Sequence, residues 1–180
     1  MSESPSFLNP ARFVASLEIA RGAVVADFGA GSGFYTIPLA EKVGPEGKIY
    51  AFDIQPQAVD RIRASARLHH LLNIDAVRAD LETERGTRLK DHVADAVIAA
   101  SILHQVADPG AVLREAARIT KPGRMLVVVE WDLSKFPGGP KMELRIPKSK
   151  ARQYAEAAGF MMDREVAAGS HHYALLFRRN

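Results

Sequence analysis

The chain has 180 residues, of which 47% are hydrophobic and 25% charged, with a formal charge of +3. This is the composition of an ordinary globular protein, which excludes disordered and fibrous chains. The absence of cysteine excludes disulfides and thiolate metal sites, and we expect no bound metal. No apolar run approaches the roughly 20 residues of a membrane span, and the N-terminus lacks a signal-peptide pattern. We therefore expect one cytoplasmic domain over residues 1–180.

Helical and strand-like patterns alternate along the chain. Apolar spacing predicts a helix over 10–20, inside an N-terminal segment (1–22) that we expect to pack on the core. Short apolar runs rich in β-branched residues predict five strands, at 24–28, 48–54, 75–79, 94–100 and 125–131. Helical spacing predicts helices over 35–43, 56–72 and 109–119. Residues 82–91 are too polar to assign.

The end of the chain has a different pattern. A helix is predicted over 147–158, closed by Gly159, and two strand-like runs at 160–167 and 171–177 are joined by a link short enough for a hairpin. The earlier strands are continuously apolar and alternate with helices, which favours a parallel sheet covered on both faces. We therefore predict an α/β fold whose sheet is mostly parallel, with one antiparallel strand near its edge.

A glycine-rich turn follows the first strand. Its sequence is Asp27-Phe28-Gly29-Ala30-Gly31-Ser32-Gly33, and its glycines allow a sharp turn and close approach to a ligand. A dinucleotide-binding turn, G-x-G-x-x-G/A, requires a small residue at position 34, where this chain has Phe34. A carboxylate at position 27 would repel a pyrophosphate but attract a sulfonium or ammonium group. The turn thus favours a cationic ligand over a nicotinamide dinucleotide.

Two further aspartates follow the next two strands. Asp53 ends the second strand, where a carboxylate can accept from both hydroxyls of a ribose, and Asp80 follows the third, where it can accept from an adenine amino group. Turns and caps also attract aspartate, so each residue alone has a structural explanation. With Asp27, however, three carboxylates lie in succession at the edge where open α/β sheets bind ligands.

These motifs resemble those of the class I, seven-stranded S-adenosylmethionine-dependent methyltransferases. VVADFGAGSGFYTIPLA (24–40) is similar to their first motif, KIYAFDIQ (48–55) to their ribose-binding strand and VRADLE (77–82) to their adenine-binding strand. Residues 95–131 resemble their fourth and fifth strands with the intervening helix, and the tail resembles their last helix and closing hairpin. The resemblance covers nearly the whole chain.

The resemblance implies a Rossmann-like three-layer α/β/α sandwich with strand order 3-2-1-4-5-7-6 and strand 7 antiparallel. It implies S-adenosyl-L-methionine as the cofactor and S-adenosyl-L-homocysteine as the product. The glycine turn would contact the methionine portion, Asp53 the ribose, and Asp80 with Leu81 the adenine. The cofactor-binding residues implied in this way are Asp27, Gly29, Ala30, Gly31, Gly33, Asp53, Ile54, Asp80, Leu81, Ala100 and Ser101.

The acceptor of the methyl group is not specified by the sequence. Among the nearer relatives, arsenite methyltransferases need cysteines, which this chain lacks, and quinone methyltransferases are longer. Because the methyl group is already activated, alignment of the acceptor can supply roughly 7–11 kcal/mol and no fixed triad is expected. His104, just after the fourth strand, and His172, at the mouth of the hairpin, are candidate bases. A structural or substrate-shaping role is the alternative for each of them. His171 would point to the opposite face from His172, so at most one of the pair can serve the site.

Other interpretations stay open. The glycine-containing loop over 132–146 suits a flexible cover or an ordinary connecting loop. The basic stretch over 141–152 suits an anionic acceptor such as RNA, although no aromatic-interleaved platform accompanies it. Solvated basic side chains explain that stretch equally well. Besides a methyltransferase, the sequence allows a non-catalytic module that binds S-adenosylmethionine and, less well, an NAD-dependent oxidoreductase. It does not indicate an oligomeric state.

Overall fold

The computed structural model describes residues 7–180. Its strands are β1 Val24–Phe28, β2 Lys48–Asp53, β3 Ile74–Arg78, β4 Ala94–Ala100, β5 Thr120–Trp131, β6 Phe160–Ala167 and β7 His172–Arg179. Its helices are α1 Pro10–Ser16, α2 Thr36–Val43, α3 Pro56–Leu68, α4 Pro109–Ile119 and α5 Lys148–Ala157. Two single 3₁₀ turns lie at Leu103–Gln105 and Met142–Leu144.

The strands form one sheet in the order β3-β2-β1-β4-β5-β7-β6. The first five strands pair in parallel, whereas β7 is antiparallel to both β5 and β6. This confirms the predicted Rossmann-like architecture and strand order. One consequence is that the carboxyl ends of β1 to β5 and the start of β7 share one edge, since Trp131 pairs with His172.

Helices cover both faces of the sheet. Side chains of a strand alternate between faces, and on one face Phe13, Leu39 and Ile62 of α1, α2 and α3 are buried against it. On the other face, Leu113 of α4 and Ala155 of α5 are buried against it. Each fully buried leucine, isoleucine or phenylalanine contributes roughly 1.5–3 kcal/mol to stability. The two apolar faces explain why the central strands carry almost no polar residues.

The polar segment 82–91, left unassigned above, contains turns and no helix or strand. An ion pair within α4 holds this segment against that helix. Glu115 of α4 accepts from the Thr87 backbone N–H at 3.0 Å and pairs with Arg118 at 2.7 Å. Arg118 also pairs with Asp91 at 2.6 Å. This network fixes the segment that follows Asp80.

The predicted helix over 56–72 was too long, because α3 ends at Leu68. His70 adopts φ +55°, and the N–H of Leu71 donates to the carbonyl of Ala66 at 2.9 Å. A left-handed residue with this 6→1 hydrogen bond is a Schellman motif, which satisfies the terminal carbonyls. Glycine is the usual residue there, so its absence concealed the end of the helix.

Other predicted boundaries also moved. The helix over 10–20 ends at Ser16, since Leu17 is extended, and residues 1–6 of the predicted N-terminal segment lie outside the described residues. The strand predicted over 125–131 begins earlier, at Thr120, and residues 121–124 bulge opposite a single residue of β4. Asp108 caps α4 as its position suggests, accepting from the Ala111 N–H at 3.1 Å. No helix in residues 7–180 is both long enough and apolar enough to cross a bilayer.

Candidate functional site

A cavity of about 380 Å³ lies at the carboxyl ends of β1, β2, β3 and β4. It is formed where the loops after these four strands meet, at the edge where open α/β sheets bind ligands. The residues that line it are Gly29, Gly31, Asp53, Ile54, Gln55, Ala58, Arg61, Ala79, Asp80, Leu81, Glu82, Ile102, Gln105 and Val106. Six of the eleven residues implied by the family resemblance are among them.

The glycine turn forms the floor of the cavity. Gly29, Gly31 and Gly33 have φ values of +70°, +55° and +85°, which L-residues with a Cβ adopt only under strain. A Cβ on Gly29 would lie 2.8 Å from the Ile102 side chain, so the loop after β4 packs directly on the turn. A Cβ on Gly31 would meet no atom closer than 3.9 Å and would point into the open cavity. The backbone at Gly31 is therefore exposed to any ligand there.

Asp53 connects the turn to the second strand. Its Oδ2 accepts from the Gly31 N–H and its Oδ1 from the Gln55 N–H, both at 2.9 Å. A carboxylate has about four acceptor positions, so two remain for a ligand. These two backbone bonds fix the orientation of the carboxylate in the cavity wall, which suits it to the paired hydroxyls of a ribose.

The opposite end of the cavity combines a carboxylate with aliphatic walls. Asp80 Oδ1 accepts from the Glu82 N–H at 3.0 Å, and Leu81 is buried beneath the loop. Ile54 and Val106 supply apolar surface to the same cavity. A narrow space with aliphatic walls and a hydrogen-bond acceptor at its rim suits a planar aromatic base.

Asp27 lies behind the glycine turn, outside the cavity wall. Only 1% of its surface is exposed, and it accepts from the Thr36 hydroxyl at 2.6 Å. Burial raises its pKa from 3.8 to about 6, opposed by the Thr36 hydrogen bond and assisted by the nearby charge of Asp53. The charge of Asp27 can therefore act on the cavity only through its electric field and not through direct contact with a ligand. The sequence placed all three aspartates on one rim, and the structure brings only Asp53 and Asp80 into the cavity wall.

The remaining implied cofactor residues surround the cavity without lining it. Ala30 is buried beside α3, and a Cβ on Gly33 would contact Ile62 at 3.5 Å. Ala100 is buried at the end of β4. Ser101, the next residue, has φ +53°, and its N–H donates to the Val129 carbonyl at 2.7 Å. A non-glycine residue in this conformation is strained and persists only where its surroundings fix it.

The two candidate bases have different environments. His104 Nδ1 lies 2.8 Å from Oε2 of Glu130, whose side chain is fully buried. His172 packs against the Trp131 ring at a centroid distance of 4.2 Å, and its Nδ1 is buried without a hydrogen-bond partner among the described residues. Burial lowers the pKa of His172, while Asp132 and Glu130 oppose this. Neither histidine lines the cavity, but both lie on its β5 and β7 side.

The loop over 132–146, for which the sequence suggests a flexible cover or an ordinary connection, contacts the buried side chain of Arg145. Arg145 is 6% exposed and donates to the carbonyls of Asp132, Ser134, Gly138 and Pro140 at 2.8–3.3 Å. Its guanidinium also lies 5.6 Å from the Trp131 ring centroid. Within the basic stretch 141–152, Arg145 therefore faces the protein interior and is not available to an anionic partner.

Sequence reasoning missed eight of the lining residues. Three of them, Gln55, Ala58 and Arg61, recur at intervals of three residues at the start of α3. That spacing places them on one helix face directly after Asp53, which is a signal the sequence did contain. Ile102, Gln105 and Val106 lie in the loop after β4, where their side-chain directions depend on the 3₁₀ turn. No periodic pattern marks that turn.

The comparisons with known proteins agree with this geometry. A family model described as a methyltransferase domain matches residues 19–171. The chain belongs to this methyltransferase family. A solved S-adenosylmethionine-dependent methyltransferase from Aquifex aeolicus superimposes with a TM-score of 0.87 at 25% identity, covering 95% of this chain and 89% of that one.

Curated relatives are matched over part of their length. A demethylmenaquinone methyltransferase of Geobacillus stearothermophilus is 30% identical over 114 residues, which cover 63% of this chain and 47% of that protein. An uncharacterized 37.1 kDa protein in transposon TN4556 of Streptomyces fradiae is 31% identical over 119 residues, covering 65% of this chain and 33% of that protein. The matched region thus spans a third to a half of these relatives.

Family membership makes S-adenosylmethionine the cofactor, with S-adenosylhomocysteine as its product. The cavity fits this molecule. Gly31 presents bare backbone, Asp53 has two free acceptor positions, and Asp80 with the aliphatic walls forms a space for a planar base. The negative charge of Asp27 behind the turn suits the cationic end of the cofactor.

Proposed function

We propose that this chain is a methyltransferase that transfers the methyl group of S-adenosylmethionine to an acceptor by direct in-line displacement. The observation that carries the proposal is the meeting of the glycine turn, Asp53 and Asp80 around one cavity at the carboxyl edge of the sheet. When bound, the cofactor supplies a methyl group on a sulfonium, which needs an aligned nucleophile more than it needs acid–base chemistry.

The assignments of the cofactor-binding residues are part of this proposal. The backbone of Gly29, Gly31 and Gly33, with Ala30 between them, holds the methionine portion, and the charge of Asp27 favours its cationic groups. Asp53 accepts from the ribose hydroxyls beside Ile54. Asp80 accepts from the adenine amino group, and Leu81 packs on the adenine ring. Ala100 and Ser101 form the boundary between the cofactor and the acceptor.

The acceptor side lies over the ends of β4, β5 and β7. His104 and His172 are our candidate proton acceptors there, and the surface near His172 is aromatic, with Trp131 and Phe136 stacked at 6.1 Å. Aromatic rings offer an acceptor a broad apolar contact. No observation on the described residues favours either a dinucleotide or a purely regulatory role over this function.

A ligand-binding screen tests the proposal. A ligand at a hundred times its Kd stabilises a protein by about 2.7 kcal/mol, which for a chain of this size raises Tm by about 5–10 °C. We expect this rise with S-adenosylhomocysteine and none with NAD. A rise with NAD alone would reject the proposal. Binding of S-adenosylmethionine without its conversion by any acceptor would favour the non-catalytic module.

A further inference from the structure

Glu130, near the end of β5, is the most completely buried acid on the acceptor side of the site. Its side chain has no exposed surface. Its Oε1 accepts from the Leu103 N–H at 2.7 Å, and its Oε2 lies 2.8 Å from His104 Nδ1. A buried carboxylate requires such partners because its desolvation otherwise costs several kcal/mol. Glu130 therefore joins β5 to the 3₁₀ turn after β4 through two separate oxygens.

This contact determines which nitrogen of His104 carries the proton. An ionised carboxylate only accepts hydrogen bonds, so Nδ1 must be the donor. In the neutral ring, the lone pair is then on Nε2. Nε2 has no hydrogen-bond partner among the described residues. The described side-chain atoms that are both fully buried and without a partner are Asn73 Oδ1 and His172 Nδ1, so Nε2 of His104 is not fully buried. The His104 side chain keeps 9% of its surface exposed, and its Nε2 is a proton acceptor that no described residue uses.

His104 also lies at the boundary between the two halves of the site. Its neighbours Ile102 and Gln105 line the cofactor cavity, whereas the His104 ring faces β5 through Glu130. His172 is less suited to take a proton, because its ring is packed on Trp131 and none of the described acids is hydrogen-bonded to it. The hydroxyl of Tyr173, the next residue along β7, donates to the Ile146 carbonyl at 2.7 Å. It therefore does not compete with His104 for the carboxylate of Glu130.

From this geometry we infer that Glu130 is a positioning residue that holds His104 as the proton acceptor for the methyl acceptor. The methyl acceptor then belongs to the class whose nucleophilic oxygen or nitrogen bears a proton, such as a phenol, an alcohol or an N–H heterocycle. A thioether or tertiary amine has no such proton to lose. The inference rests on the proposed function and names the substrate class of the same site.

The acceptor atom forms a bond to the methyl carbon, and the sulfur–methyl bond breaks with its electron pair remaining on sulfur, which yields S-adenosylhomocysteine. The acceptor's proton passes to Nε2 of His104. The resulting imidazolium is stabilised by the Glu130 carboxylate 2.8 Å from Nδ1 and returns the proton to water.

Replacement of Glu130 by glutamine separates positioning from structure. The single carbonyl oxygen of glutamine is needed by the Leu103 N–H, so the amide NH₂ takes the place of Oε2 and donates to Nδ1. Nε2 must then carry the proton and ceases to be a base. If Glu130 had only a structural role, a change in the tautomer of His104 would not alter the rate of turnover.

The first measurement needs no acceptor. Nitrogen NMR of the full chain labelled with ¹⁵N-histidine reports the tautomer of each ring at pH 8. We expect His104 with the proton on Nδ1 in the wild type and on Nε2 in Glu130→Gln. His69→Gln, which alters an exposed histidine on α3's C-terminus, serves as the control and leaves His104 unchanged. A wild-type proton on Nε2 overturns the inference.

The second measurement is release of S-adenosylhomocysteine from S-adenosylmethionine with probe acceptors. The proton-bearing probes are phenol, catechol and benzyl alcohol, whose nucleophilic oxygens keep their protons at neutral pH, and the probes without a proton are dimethyl sulfide and trimethylamine. We expect release only with proton-bearing probes and a loss of kcat of about 100-fold in Glu130→Gln and in His104→Gln, with KM for S-adenosylmethionine within about twofold. Any of three results overturns the inference: release with dimethyl sulfide or trimethylamine, release when no probe is added, or unchanged kcat in the variants.

Calorimetry with S-adenosylhomocysteine tests the proposed function separately from the inference about Glu130. The wild type and all three variants should bind it equally, since none of the substituted residues lines the cavity. Absence of binding in the wild type would reject the proposed function itself. Normal binding combined with the wrong His104 tautomer or the wrong probes would reject only the inference about Glu130.

Discussion

Asp53 is an aspartate whose charge is left available to a ligand. Two backbone N–H groups fix its carboxylate, while two acceptor positions face the cavity. Asp53→Ala should weaken binding of S-adenosylhomocysteine by about tenfold to a hundredfold, because charge-assisted hydrogen bonds contribute about 1.5–3 kcal/mol. Calorimetry measures this loss. Asp75→Ala, which removes an exposed carboxylate paired with Lys48, is the control, and equal affinity in both variants would contradict the ribose assignment.

Asp27 is the opposite case, since folding disfavours its charge. Its pKa is raised from 3.8 to about 6, so its contribution to stability is present below pH 3.8 and is lost as the pH rises through about 6. Ionised Asp27 favours the cationic cofactor. The affinity for S-adenosylmethionine should therefore fall about tenfold between pH 7 and pH 5, as Asp27 becomes protonated.

Asp27→Asn isolates this effect. The variant should bind S-adenosylmethionine with the same affinity at pH 5 and pH 7, and its stability should vary less with pH between 4 and 6 than that of the wild type. Calorimetric titrations at the two pH values give the comparison. If the variant retained the pH dependence of the wild type, another group would be responsible.

At the scale of residues, the sequence indicated which side chains are candidates for the site better than it indicated where each of them lies. The sequence singled out Asp27, Asp53 and Asp80 as candidates for cofactor binding. The pattern did not reveal that Asp27 is buried behind the turn, because that depends on its contact with Thr36 in the next helix. Likewise, His104 was a candidate from its place after β4. Its partner Glu130 lies 26 residues away, and no local pattern links the two.

At the scale of elements, we expect cofactor binding to depend most on the glycine turn. Gly31→Ala should abolish detectable binding of S-adenosylhomocysteine, because its Cβ projects into the cavity, and should cost about 1–2 kcal/mol of stability for alanine at φ +55°. Gly22→Ala is a matched control, since Gly22 has φ +78°, open space around its Cβ and a position before β1. Calorimetry and chemical unfolding of both variants test this. Normal binding by Gly31→Ala would mean that the ligand lies elsewhere.

The loop over 132–146 depends on Arg145 in the same way. A lysine ammonium cannot reach four carbonyls that surround a planar guanidinium. Arg145→Lys should therefore lower the free energy of unfolding by about 2 kcal/mol and make the loop more sensitive to limited proteolysis. Arg152→Lys, at an exposed residue paired with Glu156, should do neither. Equal protease sensitivity of the two variants would show that Arg145 does not hold the loop.

Elements were predictable where periodicity and capping agree. Proline at the first helical position and the Asp108 cap located the start of α4, and continuous apolar runs located β1 and β4. The end of α3 and the start of β5 were not predictable, because one depends on a histidine in the left-handed region and the other on a bulge. The sequence suggested a flexible cover or an ordinary connecting loop over 132–146, and no local pattern revealed that Arg145 donates to four backbone carbonyls of this loop.

At the scale of the molecule, the proposed cofactor-binding residues and both candidate bases lie at one edge of the sheet. Parallel pairing brings the ends of β1 to β4 together around the cavity, and the antiparallel β7 returns His172 to the end of β5. Alternating strands and helices allow several strand orders, so the order was predictable only from the family resemblance. The proposed division of the edge into a cofactor half and an acceptor half depends on contacts between distant residues, such as that of Glu130 with His104, which only the structure provides.

A crystal structure with S-adenosylhomocysteine tests the central claim most directly. We expect the ligand in the cavity after β1 to β4, with its ribose hydroxyls within hydrogen-bond distance of Asp53 and its adenine beside Asp80 and Leu81. Its sulfur should point toward the side of the site that carries His104. A ligand bound at another surface, or in this cavity without contact to Asp53, would contradict the account.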